Sequence, residues 1–150
     1  MKSSSATLKP VVLDANLAVA AALPLPYSAV CLEAISSWAK EDRRLLAPSF
    51  WVAEAVYGIR KIVYLRQRDA ETAERAIDDL FQLGVEVVPL EPDLCKAALS
   101  WAARLTQSKA YDGFYLALAE ERKAELWTMD GRLVRRAHQL GAVWVHHLTG

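Results

Sequence analysis

Cysteine is scarce in this chain: Cys31 and Cys95 are the only two. They stand far apart without metal-ligand spacing, so neither a disulfide framework nor a zinc site is indicated, and two buried free thiols are expected. Histidine is limited to His138, within a helical stretch, and the pair His146-His147 near the C-terminus, all read as surface or tail residues. Net charge is also missing, because 18 Lys and Arg balance 18 Asp and Glu. A balanced chain has no global basic field of the kind that coats nucleic acid nonspecifically, so any such contact must be local. No apolar run approaches the ~20 residues that cross a bilayer. The start Met1-Lys2-Ser3-Ser4-Ser5 leads towards a strand rather than a signal-peptide core. A soluble cytoplasmic protein without a membrane partner is expected, and there is no internal repeat or low-complexity segment.

Apolar residues make up 53% of the 150, enough for one compact domain over residues 1–150, with residues 1–9 a loose N-terminal segment. Strand patterns fall at 11–14, 45–47, 85–88, 126–128 and 143–145. Helical spacing covers 16–22, 27–40, 50–65, a stretch after Asp69 ending at Gly84, 91–105, 112–123 and 132–140, with Ser49 and Asp69 as N-cap candidates. Strands that are apolar throughout and separated by helices predict a parallel sheet covered on both faces, a three-layer α/β domain. In such a sheet every helix starts at the edge where strands end, and ligands bind there.

Four acids fall on that edge. Asp14 closes Val11-Val12-Leu13, Asp130 follows Leu126-Trp127-Thr128-Met129, Asp112 opens a helix, and Glu54 lies early in another. The three aspartates each have an ordinary explanation as helix caps. Glu54 lies too deep for a cap, among Val52, Ala53, Ala55 and Val56; its ordinary explanation is a salt bridge to Arg60 or Lys61, or reach to water. Direction alone puts the acids on one edge and leaves their lateral adjacency open. The basic clusters Arg43-Arg44, Arg60-Lys61, Arg66-Arg68 and Arg132-Arg135-Arg136 read as solvated helix faces.

From Val11 to about Val145 the chain resembles the PIN-domain ribonucleases, and among them the VapC-like toxins of toxin–antitoxin pairs. The resemblance rests on Val-Leu-Asp-Ala-Asn ending at Asn16, on Glu54, on Tyr111-Asp112 running into Leu116-Ala117-Leu118-Ala119, and on Trp127-Thr128-Met129-Asp130. It implies a sheet of four to five parallel strands in the order 3-2-1-4-5, which would place the first and fourth strands side by side. It implies a catalytic, metal-holding quartet of Asp14, Glu54, Asp112 and Asp130, with Asn16 and Thr128 in support. Their ordinary alternatives are a turn residue and a strand residue. Gly113 departs from the Ala that relatives commonly carry.

Oxygen-only ligands that leave waters in place suit Mg²⁺ or Mn²⁺, and such a site would serve phosphodiester hydrolysis. The implied partners are an RNA substrate, a small antitoxin covering the site and a second copy of the chain. A homodimer also agrees with Trp38, Trp51, Trp101, Tyr57 and Tyr64, more large aromatics than a small core easily hides. Arg132 is a candidate RNA contact whose solvated-helix reading is preferred. Two alternatives stand beside the ribonuclease. One is a non-catalytic RNA-binding or interaction module of the same fold. The other is a phosphatase with an aspartate nucleophile, which would want an acid where Asn16 stands.

Overall fold

The computed structural model describes residues 8–66 and 69–148. The loose start expected over 1–9 falls largely outside them, as does Arg68; Leu8 and Lys9 are exposed and carry no regular structure. Strands β1 (Val11–Leu13), β2 (Leu45–Pro48), β3 (Val85–Val88), β4 (Glu125–Thr128) and β5 (Val145–His147) form one sheet. Its order is β3-β2-β1-β4-β5 and every pairing is parallel. The helices are α1 (Ala15–Ala22), α2 (Ser28–Lys40), α3 (Trp51–Leu65), α4 (Ala70–Phe81), α5 (Pro92–Leu105), α6 (Tyr111–Arg122) and α7 (Gly131–Gln139). They complete a three-layer α/β/α architecture in which α1 packs on α2, α3 and α4, while α5 packs on α6. No helix among the described residues is long and apolar enough to cross a membrane.

The central strands explain the order. All of β1 and β2 is buried, as a strand covered on both faces requires, whereas β3 at one border is half-open. The register Val11↔Glu125, Val12↔Leu126, Leu13↔Trp127 brings the ends of β1 and β4 level. The Asp14 amide continues the ladder by donating to the Trp127 carbonyl at 3.1 Å.

Three expectations shift. The last strand begins two residues later than its apolar pattern, because Val143 lies in the turn after α7 and is 71% exposed. His146 and His147 are therefore half-buried strand residues, with His146 tilted against Trp127 at a ring separation of 4.8 Å. Ser49 does not cap α3; its amide donates to the Val88 carbonyl, and Phe50 takes the N-cap position. Cys31 is buried as expected, but Cys95 is only half-buried. Asp69 does cap α4, accepting from the Thr72 amide at 2.8 Å.

Arg43 is not on a solvated helix face. Its guanidinium donates to the Lys9 carbonyl and, at 2.6 Å, to Glu125, so it ties the start of β4 to the turn before β2. Trp38, Trp51 and Trp101 are core residues, whereas Tyr57 and Tyr64 lie exposed on α3.

Candidate functional site

β1 ends in Asp14, the N-cap residue of α1, yet the Asp14 side chain makes no capping bond. Its Oδ2 instead accepts from the Thr128 hydroxyl at 2.7 Å. Thr128 Oγ1 in turn accepts from the Asp130 amide at 3.0 Å and from Asn16 Nδ2 at 3.3 Å, and Asn16 Oδ1 accepts from the Met129 amide. Both supporting residues thus have specific partners. Asp130 fulfils its ordinary expectation: it caps α7, with Oδ1 accepting from the Arg132 and Leu133 amides.

Asp112 is in the first turn of α6, where Ala110 holds the N-cap position, and its Oδ2 accepts from Gln107 Nε2 at 3.0 Å. Glu54 is in the first turn of α3 rather than beyond it. It is half-buried, since Ala53 and Val56 beside it are exposed. No described cation pairs with it. Its partner is the Tyr115 hydroxyl, which donates to Oε1 at 2.7 Å from a side chain only 1% exposed.

Aromatic packing joins the two helices that carry these acids. Phe50, at the start of α3, meets Tyr111, Phe114 and Tyr115 of α6 edge-on, at ring separations of 5.2, 5.4 and 5.6 Å. Gly113 next to Asp112 lets α6 approach α5 closely. A Cβ there would stand 2.3 Å from the Ala98 carbonyl oxygen, so the departure from Ala is a packing requirement of this chain.

All four acids line one cavity of about 880 Å³, together with Asn16, Met129, Tyr57, Tyr111, Lys61 and Lys109. Their charges act on one another. Burial chiefly pushes the Asp14 carboxyl up to about 7; the Thr128 bond opposes this, and the charges of Asp112 and Glu54 add to it. Burial likewise raises Glu54 against its Tyr115 bond, with Asp112 contributing, and raises Asp112 against its Gln107 bond, with Asp130 contributing. Carboxylates crowded in this way gain from a cation. The donor set is all oxygen, which fits a hard divalent ion. Among the described residues, no three acidic, imidazole or thiol side chains stand close enough together to hold a metal ion as they are.

The PIN-domain family profile matches residues 11–139. The chain belongs to the PIN-domain family. No curated protein matches this PIN domain significantly in sequence. Among solved structures, PAE2754 from Pyrobaculum aerophilum shares its fold at a TM-score of 0.67 and 20% identity, over 94% of this chain and 85% of that one. VapBC2 from Rickettsia felis, solved bound to a promoter DNA fragment, superposes at 0.64 with 15% identity, over 91% and 97% of the two chains. VapC20 of Mycobacterium tuberculosis, described as a toxin that cleaves the sarcin-ricin loop, superposes at 0.61 with 15% identity, over 83% and 93%.

Tyr115 and Gln107 were not legible as site residues. Tyr115 did offer a signal, standing one helical turn from Asp112 as a polar aromatic before a Leu-Ala run. Gln107, in the polar break Thr106-Gln107-Ser108-Lys109, offered none. Arg132 is exposed and does not line the cavity; only its backbone takes part, through the Asp130 cap.

Proposed function

We propose that this PIN domain is a divalent-cation-dependent endoribonuclease, the toxin of a toxin–antitoxin pair. Asp14, Glu54, Asp112 and Asp130 would be its catalytic, metal-holding residues. The observation that carries the reading is the single cavity receiving all four acids, three of them with carboxyl pKa values raised by burial and mutual repulsion. Mg²⁺ or Mn²⁺ held there would polarise the phosphodiester and activate the attacking water. Thr128 and Asn16 keep Asp14 and the Met129-Asp130 backbone in register, while Lys61 and Lys109 flank the acids where RNA phosphates can be received.

Replacing Asp14 by Asn is expected to abolish Mg²⁺-dependent RNA cleavage while the circular dichroism spectrum and melting cooperativity stay those of the parent. Undiminished cleavage by the folded variant would sink the assignment. A chelator separates this enzyme from a non-catalytic module, which would bind RNA unchanged in its presence. The phosphatase reading is weaker, because Asn16 at the position of the needed second acid is engaged with Thr128 and the Met129 amide.

The proposed partners are an RNA substrate, an antitoxin that covers the acidic cavity and a second copy of this chain, in the cytoplasm. The solved VapBC2 assembly, which shares this fold, supports the antitoxin partner. Exposed Tyr57, Tyr64 and Leu65 on α3 support association of some kind.

A further inference from the structure

One regularity runs through all four acids. Asp14 has Oδ2 committed to the Thr128 hydroxyl, and Glu54 has Oε1 committed to the Tyr115 hydroxyl. Asp112 has Oδ2 committed to the Gln107 amide, and Asp130 has Oδ1 committed to the first amides of α7. Donors from β4, α6, the α5–α6 turn and the start of α7 thus engage one oxygen of each carboxylate. No further hydrogen bond reaches the second oxygen of Glu54, Asp112 or Asp130 from the described protein groups, while the Asn16 amide also favours the charged form of Asp14.

We infer that these donors bias cation selectivity by favouring one-oxygen ligation, with Tyr115 and Gln107 as positioning residues that each engage one oxygen of Glu54 and Asp112. The inference rests on the proposed metal-holding role of the quartet. Its physical basis is the difference between hard cations. Ca²⁺ takes 6–8 oxygens at about 2.3–2.6 Å and exploits bidentate carboxylates. Mg²⁺ demands a near-ideal octahedron at about 2.0–2.1 Å and keeps several waters. A hydrogen bond accepted by one carboxylate oxygen makes that oxygen the poorer ligand and favours metal contact through the other, a bias that costs Ca²⁺ more than Mg²⁺ or Mn²⁺. Tyr115 is the firmest of the restraints: its hydroxyl is buried beneath the site, and its ring is pinned against Phe50.

The test is calorimetric titration of the RNA-free protein with MnCl₂, MgCl₂ and CaCl₂, on the parent, Tyr115→Phe and Gln107→Leu. The parent is expected to bind Mn²⁺ and Mg²⁺ more tightly than Ca²⁺. Each variant is expected to lose roughly 10-fold of that preference, the lower end of what removing a partner of a metal ligand costs. Tyr115→Phe removes only the hydroxyl from the core. Gln107→Leu alters an exposed turn and decides the matter if the first variant does not fold. A Mn²⁺-to-Ca²⁺ preference that Gln107→Leu and a folded Tyr115→Phe leave unchanged would overturn the inference while leaving the metal site standing. A parent that binds none of the three ions would overturn both.

Discussion

Thr128 has one hydroxyl proton and two lone pairs, and all three are used: the proton on Asp14, the lone pairs on the Asp130 amide and Asn16. Nothing in this arrangement lets Thr128 turn away, so the Asp14 oxygen facing it must be an acceptor. Above its raised value of about 7, Asp14 is ionised in a setting that disfavours the charge. The sign of the linkage follows: stability contributed by the neutral form is fully present below the ordinary aspartate value and is lost as pH rises through about 7. The chelator-treated protein is therefore expected to melt at progressively lower temperature from about pH 4 to about pH 7 and to level off above that. Asp14→Asn should flatten that slope, and saturating Mn²⁺ should restore the alkaline side; thermal melts across this range are the check. Thr128→Val keeps the shape and removes the bond that holds the Asp14 value down, so the fall should move to higher pH. The same change deprives the half-buried Asp130 amide of its acceptor, at a cost of about 1 kcal/mol in denaturant unfolding.

Helix α6 shows how an element can be written in sequence and still depend on its neighbour. Its start and the place of Asp112 were legible from Tyr111-Asp112 and the Leu-Ala run, because a short apolar helix with an acid at its head has a local signature. Its closeness to α5 was not, since a glycine inside a helical pattern reads as a local weakness until the opposing backbone is known. Gly113→Ala would normally favour a helix, but here the added methyl meets the Ala98 carbonyl. It is expected to destabilise by about 1–3 kcal/mol through overpacking, with the helix pair displaced. Equilibrium unfolding measures the first, and the affinity for Mn²⁺ measures whether Asp112 is carried out of place. β5 was foreseen but starts two residues later for a related reason: its apolar pattern began in a turn, and only pairing with β4 decides which residues form the strand.

Across the whole molecule, sequence direction alone placed the four acids on one edge of the sheet, and pairing of β1 with β4 makes Asp14 and Thr128 touch. Strand order is a long-range property that local pattern does not encode, which is why the family resemblance was needed to anticipate it. The opposite edge has its own clasp. Glu125, at the start of β4, receives Arg43 and the Trp127 indole, while Arg43 also holds the Lys9 carbonyl. Arg43→Ala should therefore cost about 1–3 kcal/mol by stranding a half-buried carboxylate, more than an exposed ion pair such as Arg44 with Glu86 would lose. A parallel loss on Arg44→Ala would contradict this. For the proposed dimer, light scattering should give twice the monomer mass.

The pairing of β1 with β4 also has a temporal side. Asp14 leaves the ribosome well before Thr128, which lies 114 positions further along the chain. β1 cannot acquire its β4 neighbour, nor Asp14 its hydroxyl partner, until synthesis has passed β4. A chain with the proposed activity would thus be translated in an unarmed form, because the cutting edge cannot close before β4 has been made.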